Sequence, residues 1–174
     1  MADIQDPRES PAPEPPGGGI HRVAILGTGL IGSSIGLALR RGGFAGSVFG
    51  WDRNPATLAQ ARAMGAVDPA PEDAAADDAF IYALAADVIV LAAPVFAIAE
   101  WLEQLAPVLS PAQLVTDVGS VKSYLVERAR DHYNAVGKPG YMPGHPMAGK
   151  EQGGPEHADA ALFNGAVWLF TGNA

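Results

Sequence analysis

The chain has no cysteine, no long apolar run and no excess of positive charge. The absence of cysteine excludes disulfides, thiolate metal ligands and cysteine nucleophiles, and it is compatible with the cytoplasmic location that we expect. No segment reaches the roughly 18 consecutive apolar residues of a membrane span, so we predict that nothing spans a membrane. The formal net charge of −8 argues against nucleic acid or an anionic membrane as a partner, since both require a basic surface.

The 174 residues, 48% of them hydrophobic, suffice for one domain with a buried core. Residues 1–20 are rich in proline and glycine and poor in apolar bulk, which predicts a disordered leader without the apolar segment of a secretory signal. Acidic residues are concentrated in that leader and in the segment 68–78, for which we have no functional interpretation. The folded domain is predicted over residues 21–174.

A glycine-rich turn organises the folded domain. The apolar run 23–26 is typical of a strand buried on both faces, and a helix is predicted over 30–41. Between them, Gly27, Gly29 and Gly32 have the spacing G-x-G-x-x-G. In a dinucleotide site the first glycine permits the tight turn, the second lets a pyrophosphate approach the backbone, and the third lets the helix pack on its strand.

An acidic residue follows the next predicted strand at the distance that such a site requires. The strand 47–51 ends at Asp52, 20 residues after Gly32, where a carboxylate binds ribose hydroxyls. The glycines alone would also suit a plain corner between strand and helix, whereas strand, turn, helix, strand and acid together predict dinucleotide binding. Asp52 favours NAD because it repels the 2′-phosphate of NADP. Arg53 could pair with that phosphate, so NADP remains possible.

The remaining pattern predicts an α/β fold with a doubly wound, mostly parallel sheet, the Rossmann fold. Further strands are predicted over 66–67, 87–93, 114–118 and 166–170, and further helices over 55–64, 79–85, 95–105 and 122–133. Strands separated by the length of a helix are joined by crossovers and run parallel, and their ligands lie at the carboxyl edge of the sheet. The predicted cofactor residues are therefore Gly27, Thr28, Gly29, Leu30, Ile31, Gly32, Asp52, Arg53, Ala93 and Pro94.

Two polar residues could reach the same edge of the sheet. Ser120 follows the strand that ends near residue 118, and His145 lies in a later loop bounded by glycine and proline. A neutral imidazole there could accept a proton from a substrate hydroxyl, with the serine orienting it, although a single loop histidine is more often structural. The spacing of the four histidines does not suggest a metal cluster.

Three stretches, VAILGTGLIGSSIGLAL, VTDVGSVK and GHPMAGKEQGG, resemble the prephenate and arogenate dehydrogenase family of tyrosine biosynthesis. The resemblance implies NAD(P)-dependent oxidative decarboxylation of prephenate, arogenate or both. It also implies that His145 binds and deprotonates the ring hydroxyl and that Ser120 hydrogen-bonds the histidine and the substrate. Glu151 matches an acidic position that gates the site in some members, but a surface carboxylate is an equally simple interpretation.

The family continues into a C-terminal helical domain that dimerises and supplies arginines for the substrate carboxylates, and that domain is absent from the chain. We therefore expect a homodimer only for the full-length protein, and cofactor binding with poor activity for this chain alone. Two alternatives remain open. One is another Rossmann dehydrogenase, of the 3-hydroxyacid or imine-reducing kind, and the other is an NAD-sensing module without chemistry.

Overall fold

The computed structural model describes residues 19–69 and 79–171, in which strands and helices alternate. The strands are β1 (Arg22–Leu26), β2 (Ser47–Trp51), β3 (Val88–Leu91), β4 (Leu114–Asp117), β5 (Gly140–Met142), β6 (Gly144–Pro146) and β7 (Trp168–Phe170). The helices are α1 (Leu30–Arg41), α2 (Pro55–Ala63), α3 (Ala79–Ala85), α4 (Val95–Leu105) and α5 (Lys122–Ala129), with a 3-10 turn at Pro155–His157. Most of the predicted leader and most of the acidic segment 68–78 lie outside the described residues.

The main sheet is parallel and has the strand order β2-β1-β3-β4-β5. β1 is central and pairs with β2 on one side and with β3 on the other. β3 pairs with β4, and β4 with β5, again in parallel. Helices connect most of these strands, as parallel pairing requires. The predicted α/β class with a mostly parallel, doubly wound sheet is confirmed.

Side chains of alternating residues in β1 enter two separate cores. Val23 and Ile25 pack with the apolar cluster under α1 and α2. Ala24 and Leu26 pack with the cluster under α3, α4 and α5. Successive side chains of a strand point to opposite faces, so an unbroken apolar run indicates a strand covered on both sides. This explains why β1 could be recognised from four apolar residues.

Helix α1 packs through its small residues. An added Cβ at Gly36 would lie 2.0 Å from the carbonyl oxygen of Ala66, in the turn that follows α2. The buried face of α1 includes Ser34 and Ile35, and the half-buried Leu37 packs against the same apolar cluster as Ile35. The backbone contact at Gly36 brings this part of the helix close to the chain beneath it.

Two predicted strands differ in the structure. Residues 66–67 form no strand, although Asp68 N donates a 2.8 Å hydrogen bond to the Val48 carbonyl at the sheet edge. The terminal strand is shorter than predicted and pairs antiparallel with β6, outside the main sheet. The apolar pattern of residues 166–170 correctly predicted a strand, but such a pattern does not indicate which sheet the strand joins.

The close contact at Gly36 can be tested by a substitution that would ordinarily help a helix. Alanine is favoured over glycine in a helix interior by about 0.5–1 kcal/mol. We expect Gly36→Ala to reverse that sign and lower the free energy of unfolding by about 1–3 kcal/mol, because the methyl group meets a backbone carbonyl. Urea unfolding would measure it.

Gly153→Ala is the matched control, since an added Cβ there meets no atom within 4 Å. It should leave the unfolding midpoint unchanged. A Gly36→Ala variant as stable as the parent protein would contradict the packing described for α1.

Candidate functional site

The turn between β1 and α1 packs tightly against neighbouring backbone at its first and third glycines, and its second glycine faces open space. Gly27 has a φ of 103°, and an added Cβ would lie 2.5 Å from the Ala92 carbonyl oxygen. An added Cβ at Gly32 would lie 1.9 Å from the Gly27 carbonyl oxygen, so α1 rests directly on the turn. An added Cβ at Gly29 would meet no atom within 4 Å. A ligand can therefore reach the backbone at Gly29, where the positive end of α1 favours an anion.

Asp52 holds this turn from the end of β2. Its Oδ2 accepts a 2.8 Å hydrogen bond from Thr28 N, and its Oδ1 accepts one of 2.9 Å from Asn54 N. Thr28 itself is fully buried and lies under the turn. The Asp52 carboxylate is half-exposed and has further lone pairs available, so it can still accept hydrogen bonds from a ligand.

A cavity of about 330 Å³ lies beside the turn and is lined by six of the predicted cofactor residues. These six are Gly27, Gly29, Asp52, Arg53, Ala93 and Pro94. The side chains of Trp51 and Trp101 also line the cavity and meet edge to face, with ring centroids 5.3 Å apart. An aromatic wall next to a carboxylate provides a surface for a flat base and acceptors for the sugar attached to it.

A second cavity, of about 500 Å³, continues from the first along the sheet edge. The two cavities share Ala92 and Ala93 at the end of β3. The predicted residues Leu30 and Ile31 line the second cavity, while Thr28 and Gly32 line neither. The predicted cofactor residues thus divide into those that face the cavities and those that shape the turn behind them.

Ser120 and His145 line this second cavity together. Ser120 is exposed in the loop between β4 and α5. His145 is the half-buried central residue of β6, where it is held opposite Leu169 of β7. Residues 25 positions apart in the sequence therefore reach one space, as the sequence predicted from the sheet edge. An imidazole and a hydroxyl in one cavity are suited to moving a proton.

Glu151 is placed differently. It is exposed and does not line either cavity, so its predicted gating role stays a prediction. Lys150, its neighbour, donates a 2.8 Å hydrogen bond to the carbonyl of His157.

The sequence interpretation missed Asp117 and gave Lys122 no defined role. Asp117 is fully buried at the end of β4 and forms an ion pair with Lys122. The hydroxyl of Tyr141 donates a 2.8 Å hydrogen bond to Asp117 Oδ1. Burial lowers the pKa of the Lys122 ammonium, and the Asp117 carboxylate opposes that shift. An acid ending an apolar strand, with a lysine five residues later, was the available signal.

In residues 19–69 and 79–171, no group of three or more histidine, cysteine or carboxylate residues is arranged to hold a metal ion. Within the same described ranges, no helix has the length and apolar character needed to cross a bilayer.

Residues 35–174 match the family model described as the prephenate dehydrogenase nucleotide-binding domain. A prephenate dehydrogenase of Lactococcus lactis is 36% identical over 154 residues, which are 87% of this chain and 41% of that protein. The crystal structure of Synechocystis arogenate dehydrogenase superposes with a TM-score of 0.72 at 33% identity, over 86% of this chain and 49% of that one.

A third relative was solved with ligands bound. The prephenate dehydrogenase of Aquifex aeolicus in complex with hydroxyphenyl propionate and NAD+ superposes with a TM-score of 0.71 at 28% identity. The match covers 89% of this chain and 51% of that one. The chain thus spans about half the length of the relatives that it matches.

The open side of the turn predicts an effect on binding that is separate from folding. We expect Gly29→Ala to fold with an unchanged melting temperature and to weaken NADH binding at least ~10-fold, about 1.4 kcal/mol. The added methyl group occupies the space through which a pyrophosphate would approach the backbone. Energy transfer from Trp51 and Trp101 to NADH would report binding.

Gly153→Ala serves again as control, because it adds the same methyl group in open space away from both cavities. Full NADH affinity in the Gly29→Ala variant would show that the nucleotide does not approach this turn.

Proposed function

Because this chain belongs to the prephenate dehydrogenase nucleotide-binding domain family, we propose that it binds NAD. We further propose that the whole protein catalyses the oxidative decarboxylation of prephenate, arogenate or both. The observation that carries this proposal is the pair of adjoining cavities along one sheet edge. One contains the glycine turn and Asp52, and the other contains Ser120 and His145.

The residues around the first cavity fit a dinucleotide. The space at Gly29 admits a pyrophosphate to the N-terminus of α1, and Asp52 offers carboxylate oxygens to ribose hydroxyls. The negative charge of Asp52 supports NAD over NADP, because it would repel the 2′-phosphate of NADP. The exposed Arg53 lines the same cavity and could attract that phosphate. When bound, the cofactor supplies the hydride acceptor.

The residues around the second cavity fit the proton transfer that accompanies hydride loss. In the neutral state, the His145 imidazole accepts the proton of the substrate hydroxyl while hydride leaves the carbon that bears it. The Ser120 hydroxyl orients the imidazole and the substrate oxygen. The ring carboxylate leaves as CO2, the electrons of the broken C–C bond complete the aromatic ring, and the imidazolium returns its proton to the phenolate oxygen.

The same cavity lacks groups for the charge of the substrate. Among the described residues that line it, none is lysine, arginine or a carboxylate, and His145 is the only ionisable side chain. Prephenate has two carboxylates, which charge-assisted hydrogen bonds would bind best. We propose that cationic residues outside the described cavity lining complete the substrate site.

The proposed function is tested by following NADH or NADPH formation and CO2 release with the whole protein. Prephenate and arogenate are offered in turn, each with NAD and with NADP. Reduced nucleotide with CO2 from either substrate supports the proposal, and the preferred pair identifies substrate and cofactor. Tight NAD binding without turnover of either substrate would favour the sensing module instead.

The role of His145 predicts a specific kinetic loss. We expect His145→Asn to lower kcat by about 10²–10⁴-fold, the usual contribution of a positioned general base. NADH affinity should remain, since His145 lies in the other cavity. Steady-state rates and NADH titration would measure both quantities.

His132→Asn is the matched control, because His132 is exposed and lines neither of these cavities. It should retain full activity. A His145→Asn enzyme with an undiminished rate would remove the imidazole from the mechanism.

The charge of the cavity also predicts the behaviour of the 174-residue chain by itself. We expect this chain to bind NADH, because the turn, Asp52 and the aromatic wall lie within the described residues. We expect little or no turnover of prephenate, for lack of cations at the second cavity. Turnover close to that of the whole protein would refute this.

A further inference from the structure

Asp117 is a buried carboxylate at the place where two segments of the site leave the sheet. Its Oδ2 accepts a 2.8 Å hydrogen bond from Gly119 N and forms the ion pair with Lys122. Its Oδ1 accepts 2.8 Å and 3.3 Å hydrogen bonds from the Tyr141 hydroxyl and from Gly144 N. Neutral and charged donors thus surround a carboxylate that has no exposed surface.

Two of these donors directly precede the two candidate catalytic side chains. Gly119 is the residue before Ser120, and Gly144 is the residue before His145. Both backbone N–H groups point to the same carboxylate, one to each oxygen. The Asp117 carboxylate therefore links the two segments directly.

Lys122 adds a second link between the same segments. Its ammonium, at the start of α5, donates a 2.6 Å hydrogen bond to the carbonyl of Gly144 in addition to pairing with Asp117. Gly144 is thus held by its N–H and by its carbonyl group. β6 is only three residues long, and the bonds to Gly144 add to the pairing of β5 with β4, which places the chain up to Met142.

We propose that Asp117 and Lys122 are positioning residues, which hold Ser120 and His145 in the geometry that proton transfer requires. This rests on the function proposed above. Neither side chain lines the cavity, so neither touches a ligand there. They act through the backbone of Gly119 and Gly144.

A purely stabilising role would be an inefficient use of an ion pair whose carboxylate is fully buried and whose lysine is largely shielded from water. Removing two charges from water costs free energy that their attraction often fails to recover, and apolar residues of similar size frequently stabilise a core better. The Tyr141 hydroxyl remains a donor because burial and the adjacent Asp117 raise its pKa. Both oxygens of Asp117, the Tyr141 hydroxyl and the Lys122 ammonium thus each have a hydrogen-bond partner within the network, as in one that fixes a specific geometry.

Lys122→Met in the whole protein tests the proposal. The methionine keeps the apolar stem of the lysine but removes the bond to Gly144 and the partner of Asp117. We expect kcat to fall by about 10²-fold, the scale of loss when a catalytic group is misplaced by about 1 Å. The KM for NAD and the affinity for NADH should be unchanged, because the glycine turn lies outside this network.

Hydrogen–deuterium exchange of the same variant supplies a readout that does not need turnover. We expect faster exchange in segments 119–121 and 144–147, with unchanged exchange in β1 and α1. Lys122→Arg should recover part of the kcat, since a guanidinium can also donate to a carboxylate and a carbonyl. If Lys122→Met does not fold, Tyr141→Phe, which removes one donor from Asp117, replaces it in the same measurements.

Arg128→Met is the matched control. Arg128 lies on the same helix α5 and pairs with Glu103 at 2.6 Å, but this ion pair is exposed and neither residue lines either cavity. It should change neither kcat nor the exchange of either segment. A Lys122→Met variant that loses only thermal stability, with kcat and segment exchange unchanged, overturns the proposal.

Failure of the proposed function gives a different pattern. A whole protein that turns over neither substrate would reject the proposed reaction. The exchange measurements would still decide whether Asp117 and Lys122 hold the two segments together: unchanged exchange in the variant rejects the positioning role, and faster exchange in both segments supports it.

Discussion

The hydrogen-bond register of the parallel sheet is the constraint on which the site depends. Leu26 at the end of β1 pairs with Trp51 on one side and with Leu91 on the other, and Leu91 pairs with Asp117. The last residues of these strands therefore form one row across the sheet. The segments that follow these strands therefore leave the sheet along one line. For this reason the glycine turn, Asp52 and the loop that contains Ser120 lie at the same edge of the sheet.

The fold and the glycine turn of the proposed nucleotide site could be predicted because local signals encode them. The glycine spacing, the strand before it and Asp52 after β2 all lie within 30 residues that fold against one another. The strand expected at residues 66–67 was wrong because two apolar residues cannot distinguish a strand from a buried turn. Val67 is buried beneath Gly50, which satisfies the same pattern without sheet pairing.

The proposed catalytic half, around Ser120 and His145, was less predictable because it depends on contacts between distant segments. His145 sits on β6, whose pairing with β7 is antiparallel and separate from the main sheet. Neither the pairing nor its orientation follows from apolar runs of three to five residues. Ser120 and His145 were expected near one another because both were predicted to reach the carboxyl edge of the sheet. The hydrogen bonds that link their segments through Asp117 leave no periodic pattern in the sequence.

The two halves of the site also differ in how charge is handled. At the nucleotide half, Asp52 is half-exposed and the helix start supplies a favourable field, so an anionic ligand meets preformed partners. At the proposed catalytic half, the nearest charges are the fully buried Asp117 and the half-buried Lys122, which pair with one another. Lys122 does not line the second cavity, and its ammonium already donates to Asp117 and to the Gly144 carbonyl. Moving it toward a ligand carboxylate would take away the charged partner of Asp117, at a high cost in free energy. The cations for the proposed dicarboxylate substrate are therefore expected from outside this ion pair.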